Sequence, residues 1–289
     1  YGLALGYSNQ SLSSFGVAIG GYNTAQSQSV ALGYSNTASG NSSLAVGESN
    51  ISSAGSSVGV GVSNVSSNTD SVAVGVRNTN SGLLSTSVGV DNDVTNGQYN
   101  SVFGYNNNLD APGDGYSAVL GNSNDVYSNY SNAVGFDNTI DTFADSSSAF
   151  GSLNIISSGS ANSLVFGRSN TASVSDATAF GVSNISSGSY SIAFGRSNTS
   201  SGNSSVAFGN SNSASGDGST SVGGGNYASG IGASAFGYIN SATGDFSGAF
   251  GYYVQATAKG ASVFGGGGNG SVGSMINSVA NSTLIGPGA

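Results

Sequence analysis

Apolar residues recur along the chain at an almost constant step, and each of them directly precedes a glycine. The clearest stretch covers residues 178–212, where Gly181, Gly195 and Gly209 lie 14 residues apart. An asparagine follows each of these glycines after three residues. A repeat this short, with small and large apolar residues alternating between Gly and Asn corners, predicts stacked coils whose strands pair from coil to coil.

The same repeat runs through almost the whole chain, with equivalent glycines from Gly6 to Gly265. Most steps are 14 residues, and the steps of 15 to 17 residues cluster at about 89–167. Each coil has two short runs with strand propensity, separated by glycine-rich corners that tolerate positive φ. We predict an all-β parallel β-solenoid over residues 1–265, with two short strands per coil of about 14 residues and longer coils at about 89–167. Residues 266–289 lose register and predict an irregular C-terminal cap or junction, with a last partial turn at Leu284, Ile285 and Gly286.

The alternation within each coil suggests which side chains face inward. The position before the glycine is apolar in every coil, which predicts that it forms the structural core: Phe180, Phe194, Phe208, Phe236 and Phe250. The alanine before it would then face outward, on an Ala/Ser/Gly strip suited to close packing between neighbouring chains. Five residues after the glycine, the longer coils carry larger residues, which we expect to fill a wider interior: Val94, Leu109, Val126, Ile140 and Ile156.

The asparagine of each coil forms a column through the stack. Amides one coil apart can hydrogen-bond along such a column and satisfy backbone groups at the corner. We predict a structural ladder that includes Asn170, Asn184, Asn198, Asn212 and Asn226. Ligand binding through this column is the alternative.

Composition narrows the range of functions. The 289 residues include 48 Gly but no Cys, His or Trp, and the net charge is −9 with only four basic residues. The chain therefore lacks the usual general base, thiol nucleophile and soft metal ligands, and nucleic acid is a poor partner. No run approaches the roughly 20 apolar residues of a membrane span. We predict a non-enzymatic protein without a metal site or cofactor. Its opening at Tyr1, already in repeat phase, predicts a processed chain or an excised segment.

Candidate ligand contacts lie where the repeat is stretched, because inserted loops carry most binding sites of a solenoid. Residues 89–167 hold eight of the twelve aspartates and a group of tyrosines. Acidic groups beside tyrosine can hold a glycan or a partner protein by hydrogen bonding and stacking. The predicted contacts are Tyr99, Tyr105, Asp110, Asp114, Tyr116, Asp125, Tyr127 and Tyr130. The alternative is that these are solvated loop residues that keep the chain soluble.

The sequence also offers a possible calcium site, a possible pair of catalytic carboxylates and a possible ice-binding face. Residues 110–115 could offer oxygens to Ca²⁺, but they lack EF-hand spacing and a bidentate Glu, so an ordinary turn is preferred. Paired carboxylates could hydrolyse glycosides, but nothing in the sequence implies a cleft. Outward hydroxyl and methyl groups, such as Thr171 and Ser173, resemble the faces of ice-binding solenoids, although Asp93 and Asp125 interrupt the array.

The repeat resembles the YadA-like head repeat of trimeric autotransporter adhesins, which is also found in phage tail fibres. Residues 29–33 (SVALG) and 205–209 (SVAFG) match its first half, and residues 38–40 and 214–216 (both ASG) match its second half. Asn stands three residues after the glycine, where the family usually has Ala. The resemblance covers roughly residues 3–265 and implies a left-handed β-roll that assembles as a homotrimer on a cell or virion surface.

These observations favour a non-enzymatic extracellular fibre or adhesin module. In this hypothesis, the solenoid presents a glycan- or protein-binding surface on a cell or a virion appendage. One alternative is a structural protomer of a self-assembling extracellular filament, since an uncapped solenoid exposes strand edges. Ice binding and a phage receptor-binding tail fibre are further alternatives.

Overall fold

The computed structural model describes residues 1–266 and 275–286. Within these residues the regular secondary structure consists of β-strands, without a helix. Strands of five residues alternate along the chain with strands of two to four residues, up to a last strand of three residues. The chain divides into two compact units, Tyr1–Ser146 and Ser147–Ala289.

The strands of the first unit are β1 (Leu3–Tyr7), β2 (Gln10–Ser11), β3 (Val17–Gly21), β4 (Thr24–Ala25), β5 (Val30–Tyr34), β6 (Thr37–Ala38), β7 (Leu44–Glu48), β8 (Ile51–Ser52), β9 (Val58–Val62), β10 (Val65–Ser66), β11 (Val72–Val76), β12 (Thr79–Asn80), β13 (Thr86–Val90), β14 (Asp93–Asn96), β15 (Ser101–Tyr105), β16 (Asn108–Asp110), β17 (Ala118–Asn122), β18 (Asp125–Val126), β19 (Asn132–Phe136) and β20 (Thr139–Ile140).

The strands of the second unit are β21 (Ser148–Ser152), β22 (Ile155–Ile156), β23 (Leu164–Arg168), β24 (Thr171–Ala172), β25 (Thr178–Val182), β26 (Ile185–Ser186), β27 (Ile192–Arg196), β28 (Thr199–Ser200), β29 (Val206–Asn210), β30 (Ser213–Ala214), β31 (Thr220–Gly224), β32 (Tyr227–Ala228), β33 (Ser234–Tyr238), β34 (Ser241–Ala242), β35 (Gly248–Tyr252), β36 (Val254–Ala256), β37 (Ser262–Gly266), β38 (Met275–Asn277) and β39 (Thr283–Ile285).

Strands pair in parallel with their equivalents one turn away, so that repeat positions stack on themselves. In the first unit, Gly6 of β1 lies opposite Gly20 of β3. In the second unit, Ala193 of β27 lies opposite Ala207 of β29, and the short strands β26 and β28 pair in the same way. Each unit therefore contains one long-strand sheet and one short-strand sheet. The predicted all-β parallel β-solenoid, with two short strands per turn, is confirmed.

Two strands near the C-terminus continue this ladder. β38 pairs in parallel with β36, and β39 pairs in parallel with β37. The predicted last turn near Leu284 is thus present as regular parallel strand. The rest of the predicted cap or junction, residues 267–274 and 287–289, lies outside the described residues and stays a prediction.

The prediction of the core face in the long strands is wrong. Ala193 is fully buried, whereas the neighbouring Phe194 is 37% exposed. Phe180 and Phe208 are 36% and 48% exposed, and the other two predicted core residues, Phe236 and Phe250, are only partly buried on the same side of their strands. The alanine strip that was expected to face outward forms the interior instead.

The width of a turn explains this inversion. Ser200 on a short strand and Ser205 beside a long strand are both fully buried, and their Oγ atoms lie 2.6 Å apart. Opposite walls of the turn therefore meet through the shortest hydroxyl side chains. A phenylalanine directed inward would overfill this space, so the large apolar residue lies outside.

The longer turns have a wider interior, as predicted. The five larger residues expected there are all fully buried: Val94, Leu109, Val126, Ile140 and Ile156. Positions equivalent to these mostly hold Ala or Ser in the 14-residue turns, for example Ala214 and Ser200, which are also fully buried. Larger inward residues accompany the turns of 15 to 17 residues, whereas Val126 lies in a 14-residue step between Gly121 and Gly135.

The asparagine column is buried and hydrogen-bonded from turn to turn. Asn198 Oδ1 accepts hydrogen bonds from the backbone N–H and the Nδ2 of Asn212, at 2.9 and 3.0 Å. Asn198 Nδ2 donates to Asn184 Oδ1, to the Phe194 carbonyl and to the Gly209 carbonyl, at 3.0, 2.9 and 2.7 Å. The same contacts recur at Asn170 and Asn226. Each amide therefore satisfies corner backbone groups that water cannot reach.

The glycine of each turn is required by both conformation and space. Gly61 has a φ of +122°, and a Cβ added there would lie 2.0 Å from the Gly75 carbonyl oxygen of the next turn. Only glycine adopts this backbone conformation readily and lets successive turns approach this closely.

We expect Gly61→Ala to destabilise the first unit by at least about 1–3 kcal/mol, the cost of such backbone strain, with the steric clash adding to it. The matched control is Gly55→Ala in the same turn, where an added Cβ meets nothing closer than 3.9 Å. This control should be neutral or slightly stabilising. Urea unfolding measures both, and equal midpoints for the two variants would contradict the steric account.

We expect Asn198→Ala to destabilise the second unit by at least about 2 kcal/mol, because it leaves several buried backbone groups without partners. Asn203 lies at an exposed corner, so Asn203→Ala should change the stability by no more than about 0.5 kcal/mol. Hydrogen exchange of the Asn212 amide, whose N–H donates to Asn198 Oδ1, locates the effect. Unchanged protection of this amide in Asn198→Ala would refute a structural role for the ladder.

Candidate functional site

In each unit, the long strands present an apolar face to solvent. We call this the apolar face, defined by the first and third residues of the odd-numbered strands. In the first unit it includes Leu5, Leu32, Phe103 and Leu120, which are exposed large hydrophobic residues. In the second unit it includes a run of phenylalanines. Monomeric soluble proteins rarely leave apolar patches of this kind uncovered, so the face is a candidate interface.

The phenylalanines of the second unit stack along this face. Ring centroids are 4.8 Å apart between Phe166 and Phe180, 4.7 Å between Phe180 and Phe194, and 4.9 Å between Phe194 and Phe208. The rings are within 7° of parallel. These separations equal the spacing of paired strands, so the sheet itself sets the stacking distance. The outer face is thereby flat, aromatic and rigid.

Three of the predicted ligand contacts form a second feature, the tyrosine stack: Tyr99, Tyr116 and Tyr130. Each lies at the corner before a long strand, with φ between 52° and 58°. Centroids are 4.7 Å apart for Tyr99 and Tyr116, and 5.7 Å for Tyr116 and Tyr130, with nearly parallel rings. Gln98 Nε2 donates a 2.6 Å hydrogen bond to Asp114 Oδ1, which places that carboxylate near the stack.

Three other predicted contacts, Asp110, Asp125 and Tyr127, lie on the outer side of the short-strand sheet, together with Asp93 and Asn108. We call these five residues the acidic patch. Asn108 Nδ2 donates to the Tyr127 hydroxyl at 3.1 Å, and Asn96 Nδ2 donates to Asp110 Oδ1 at 2.6 Å. Among the described residues, no three acidic groups form a cluster that could hold a metal ion.

Burial weakens the acidity of this patch. It raises the pKa of Asp93, to which the charge of Asp110 adds, and one buried oxygen of Asp93 has no hydrogen-bond partner. Burial also raises the pKa of Asp125, and the negative charge of Asp137 raises it further. A hydrogen bond from Asn108 lowers it by a smaller amount. The pKa of Tyr127 is raised by burial and by the charge of Asp125. The patch therefore favours partners that relieve negative charge.

The structure separates the eight predicted contacts into three places. Tyr99, Tyr116, Tyr130 and Asp114 lie around one corner, whereas the acidic patch holds Asp110, Asp125 and Tyr127. Tyr105 is the last residue of β15, whereas Tyr99 lies at the corner before the first residue of that strand. The sequence alone could not make this division, because it depends on which corner follows each strand.

Repeats of a known family occur in both units. The family model described as "YadA head domain repeat (2 copies)" matches residues 27–47, 175–198, 200–226 and 228–253. The chain carries YadA head domain repeats. The matched YadA head repeats include Phe180, Phe194 and Phe208 of the apolar face. The tyrosine stack and the acidic patch lie outside the matched residues.

A search of curated proteins finds no match to the chain. Within the residues that the structure describes, no helix is long and apolar enough to cross a membrane.

Two functional features were missed by the sequence reasoning. One is the apolar face, which was assigned to the core. The signal that could have located it is the small residue, most often alanine, that precedes each large residue, because a 14-residue turn has a narrow interior. The other is a break in the corner columns of the second unit at Gly224 and Gly225, signalled by three consecutive glycines.

We expect Asp93→Asn to raise the stability at pH 7, by less than about 1 kcal/mol because Asp93 is only partly buried. The raised pKa means that the folded chain holds the carboxyl proton more tightly than the unfolded chain. The cost of the charge is therefore present above the folded pKa and disappears as the pH falls through it towards the ordinary value of 3.8. The gain in urea midpoint should shrink between pH 7 and pH 4.

Asp91→Asn is the control with the opposite sign. Arg77 donates a hydrogen bond to Asp91 at 2.6 Å, which lowers the pKa of that carboxyl. The stabilisation that the Arg77–Asp91 pair contributes is fully present above the ordinary pKa of an aspartate. It is lost as the pH falls through the lowered pKa of Asp91. Asp91→Asn should therefore not stabilise the chain at pH 7. A similar gain in both variants would show that the environment of Asp93 is not the cause.

Proposed function

We propose that the chain is a non-enzymatic, adhesin-like module of an extracellular fibre, in which copies associate as a homotrimer through the apolar face. The observation that carries the proposal is the exposed column of stacked phenylalanines, of which Phe180, Phe194 and Phe208 lie within matched YadA head repeats. Adhesins of this family act on cell surfaces, and the family resemblance supports the trimer and the extracellular location.

The energetics of the fold support burial of this face. The interior of each turn holds mainly Ala, Ser and Asn, so a single chain buries little large apolar surface inside. The large apolar side chains lie outside, where covering them removes much more apolar area from water. At about 25 cal/mol per Å² of apolar surface, association through this face supplies stabilisation that the narrow interior cannot.

We propose that ligand contact occurs away from this face, at the longer turns of the first unit. The tyrosine stack offers flat aromatic surface beside the Asp114 carboxylate, and the acidic patch offers Asp110, Asp125 and the Tyr127 hydroxyl. Stacked rings with adjacent hydrogen-bond acceptors suit a glycan or the basic surface of a partner protein. The departure of these turns from the matched repeats supports a role beyond architecture.

We expect the purified chain to sediment as a discrete trimer, and Phe194→Asp to shift it towards monomer. The physical reason is that an unpaired carboxylate in the covered apolar face costs several kcal/mol. The matched control is Ile185→Asp, since Ile185 is similarly exposed but lies on the short-strand sheet. It should remain trimeric.

Sedimentation velocity distinguishes the alternatives, and circular dichroism confirms that both variants fold. A compact monomer for the unaltered chain would refute assembly through the apolar face. An open-ended polymer would support the filament hypothesis instead.

A further inference from the structure

The corner columns of the second unit are interrupted at one place. In most turns, the last residue of the long strand and the residue after it carry side chains, as at Arg196 and Ser197. At Gly224 and Gly225 both side chains are missing. The gap forms a shallow notch of about 260 Å³ lined by Asn210, Ser211, Gly224, Gly225, Tyr238 and Ile239.

An aromatic ring forms one wall of this notch. Tyr238 is exposed and stacks on Tyr252 with centroids 5.7 Å apart and rings within 10° of parallel. Tyr238 lies between Gly224 and Tyr252 in the long-strand sheet, because it pairs with Gly224 on one side and with Tyr252 on the other. The ring leans over the glycine, because a Cβ at Gly224 would lie 2.9 Å from Tyr238 Cδ2. The stack therefore holds the ring in place beside the gap.

Neutral hydrogen-bonding groups form the opposite wall. Ser211 Oγ donates to Asn210 Oδ1 at 2.7 Å. Within the part of the chain that the structure describes, Asn210 Nδ2 has no hydrogen-bond partner and remains a donor for a ligand. None of the six lining residues is charged. An apolar ring face opposite amide and hydroxyl groups is the arrangement that recognises a sugar, whose C–H face stacks while its hydroxyls bond.

We propose that the notch binds one neutral hexopyranose ring of a glycan. The volume lies below the roughly 300 Å³ at which drug-sized pockets begin, so it suits a single ring rather than an oligosaccharide. Tyr238 provides the stacking surface and Asn210 provides the amide donor. The proposal fits the adhesive role proposed above, but it uses residues of one chain and none of the contacts in the first unit.

The test is a saturation-transfer NMR titration of the full chain with methyl β-D-galactopyranoside and methyl β-D-glucopyranoside. We expect at least one of them to bind with a dissociation constant of about 1–10 mM, given the small number of ligand atoms. Tyr238→Ala should weaken binding about 2- to 10-fold, the range typical of one aromatic contact. Tyr227→Ala removes an exposed tyrosine from the short-strand sheet and should leave binding unchanged.

A second variant fills the notch at a corner where other turns carry a side chain. Gly225 has a φ of +64°, and Leu153 adopts a φ of 58° at the equivalent corner of another turn, so Gly225→Leu has a precedent within the same fold. It should abolish saturation transfer. Gly218→Leu places the same side chain at a positive-φ glycine of the opposite corner, as Leu84 does in another turn, and should retain binding.

The proposal is overturned if neither sugar shows transfer at about 50 mM, the upper end of weak binding. It is also overturned if transfer persists in both Tyr238→Ala and Gly225→Leu, or is lost equally in the two controls. Sedimentation of the same samples separates this result from the proposed assembly. A trimer that binds neither sugar refutes the notch alone, and a monomer that binds refutes the trimer alone.

Discussion

The narrow interior of each turn is the constraint on which the other features depend. Opposite walls meet through side chains as small as Ser200 and Ser205, and the inward positions of the 14-residue turns are mostly alanine and serine. Each turn therefore gains little from enclosing apolar side chains. Stability has to come from contacts between turns, which are repeated at the spacing of paired strands.

Two columns provide these contacts, one buried and one exposed. The asparagine ladder uses each amide to satisfy backbone groups of its own turn and of the next, as Asn198 does with the Phe194 and Gly209 carbonyls and the Asn212 N–H. Side-chain hydrogen bonds also join it to the asparagines of both neighbouring turns. The phenylalanine column stacks at the same spacing on the outside. The first column makes the interior dry and specific, while the second leaves an ordered apolar surface that another copy of the chain can cover.

Departures from regularity are where the surface acquires distinct chemistry. Longer turns place Tyr99, Tyr116 and Tyr130 in a stack. They also gather Asp93, Asp110 and Asp125 on the short-strand sheet, where burial raises the pKa of Asp93 and of Asp125. In the second unit the loss of two side chains produces a notch beside Tyr238. A regular solenoid repeats one surface, so a local site requires such a change in turn length or side-chain size.

The sequence by itself determined the repeat, the parallel pairing, the two sheets and the asparagine column, because period and corner residues are local properties of the chain. It also linked the larger residues Leu109 and Ile140 to the longer turns. Which face of the long strand points inward was decided only by the tertiary structure. An apolar residue at every repeat gives the same sequence pattern whether its side chain is buried inside the turn or exposed on the outer face. The distance between the two walls of a turn excludes Phe194 from the interior and admits Ala193. This distance is a property of the folded turn, and no single residue of the sequence specifies it.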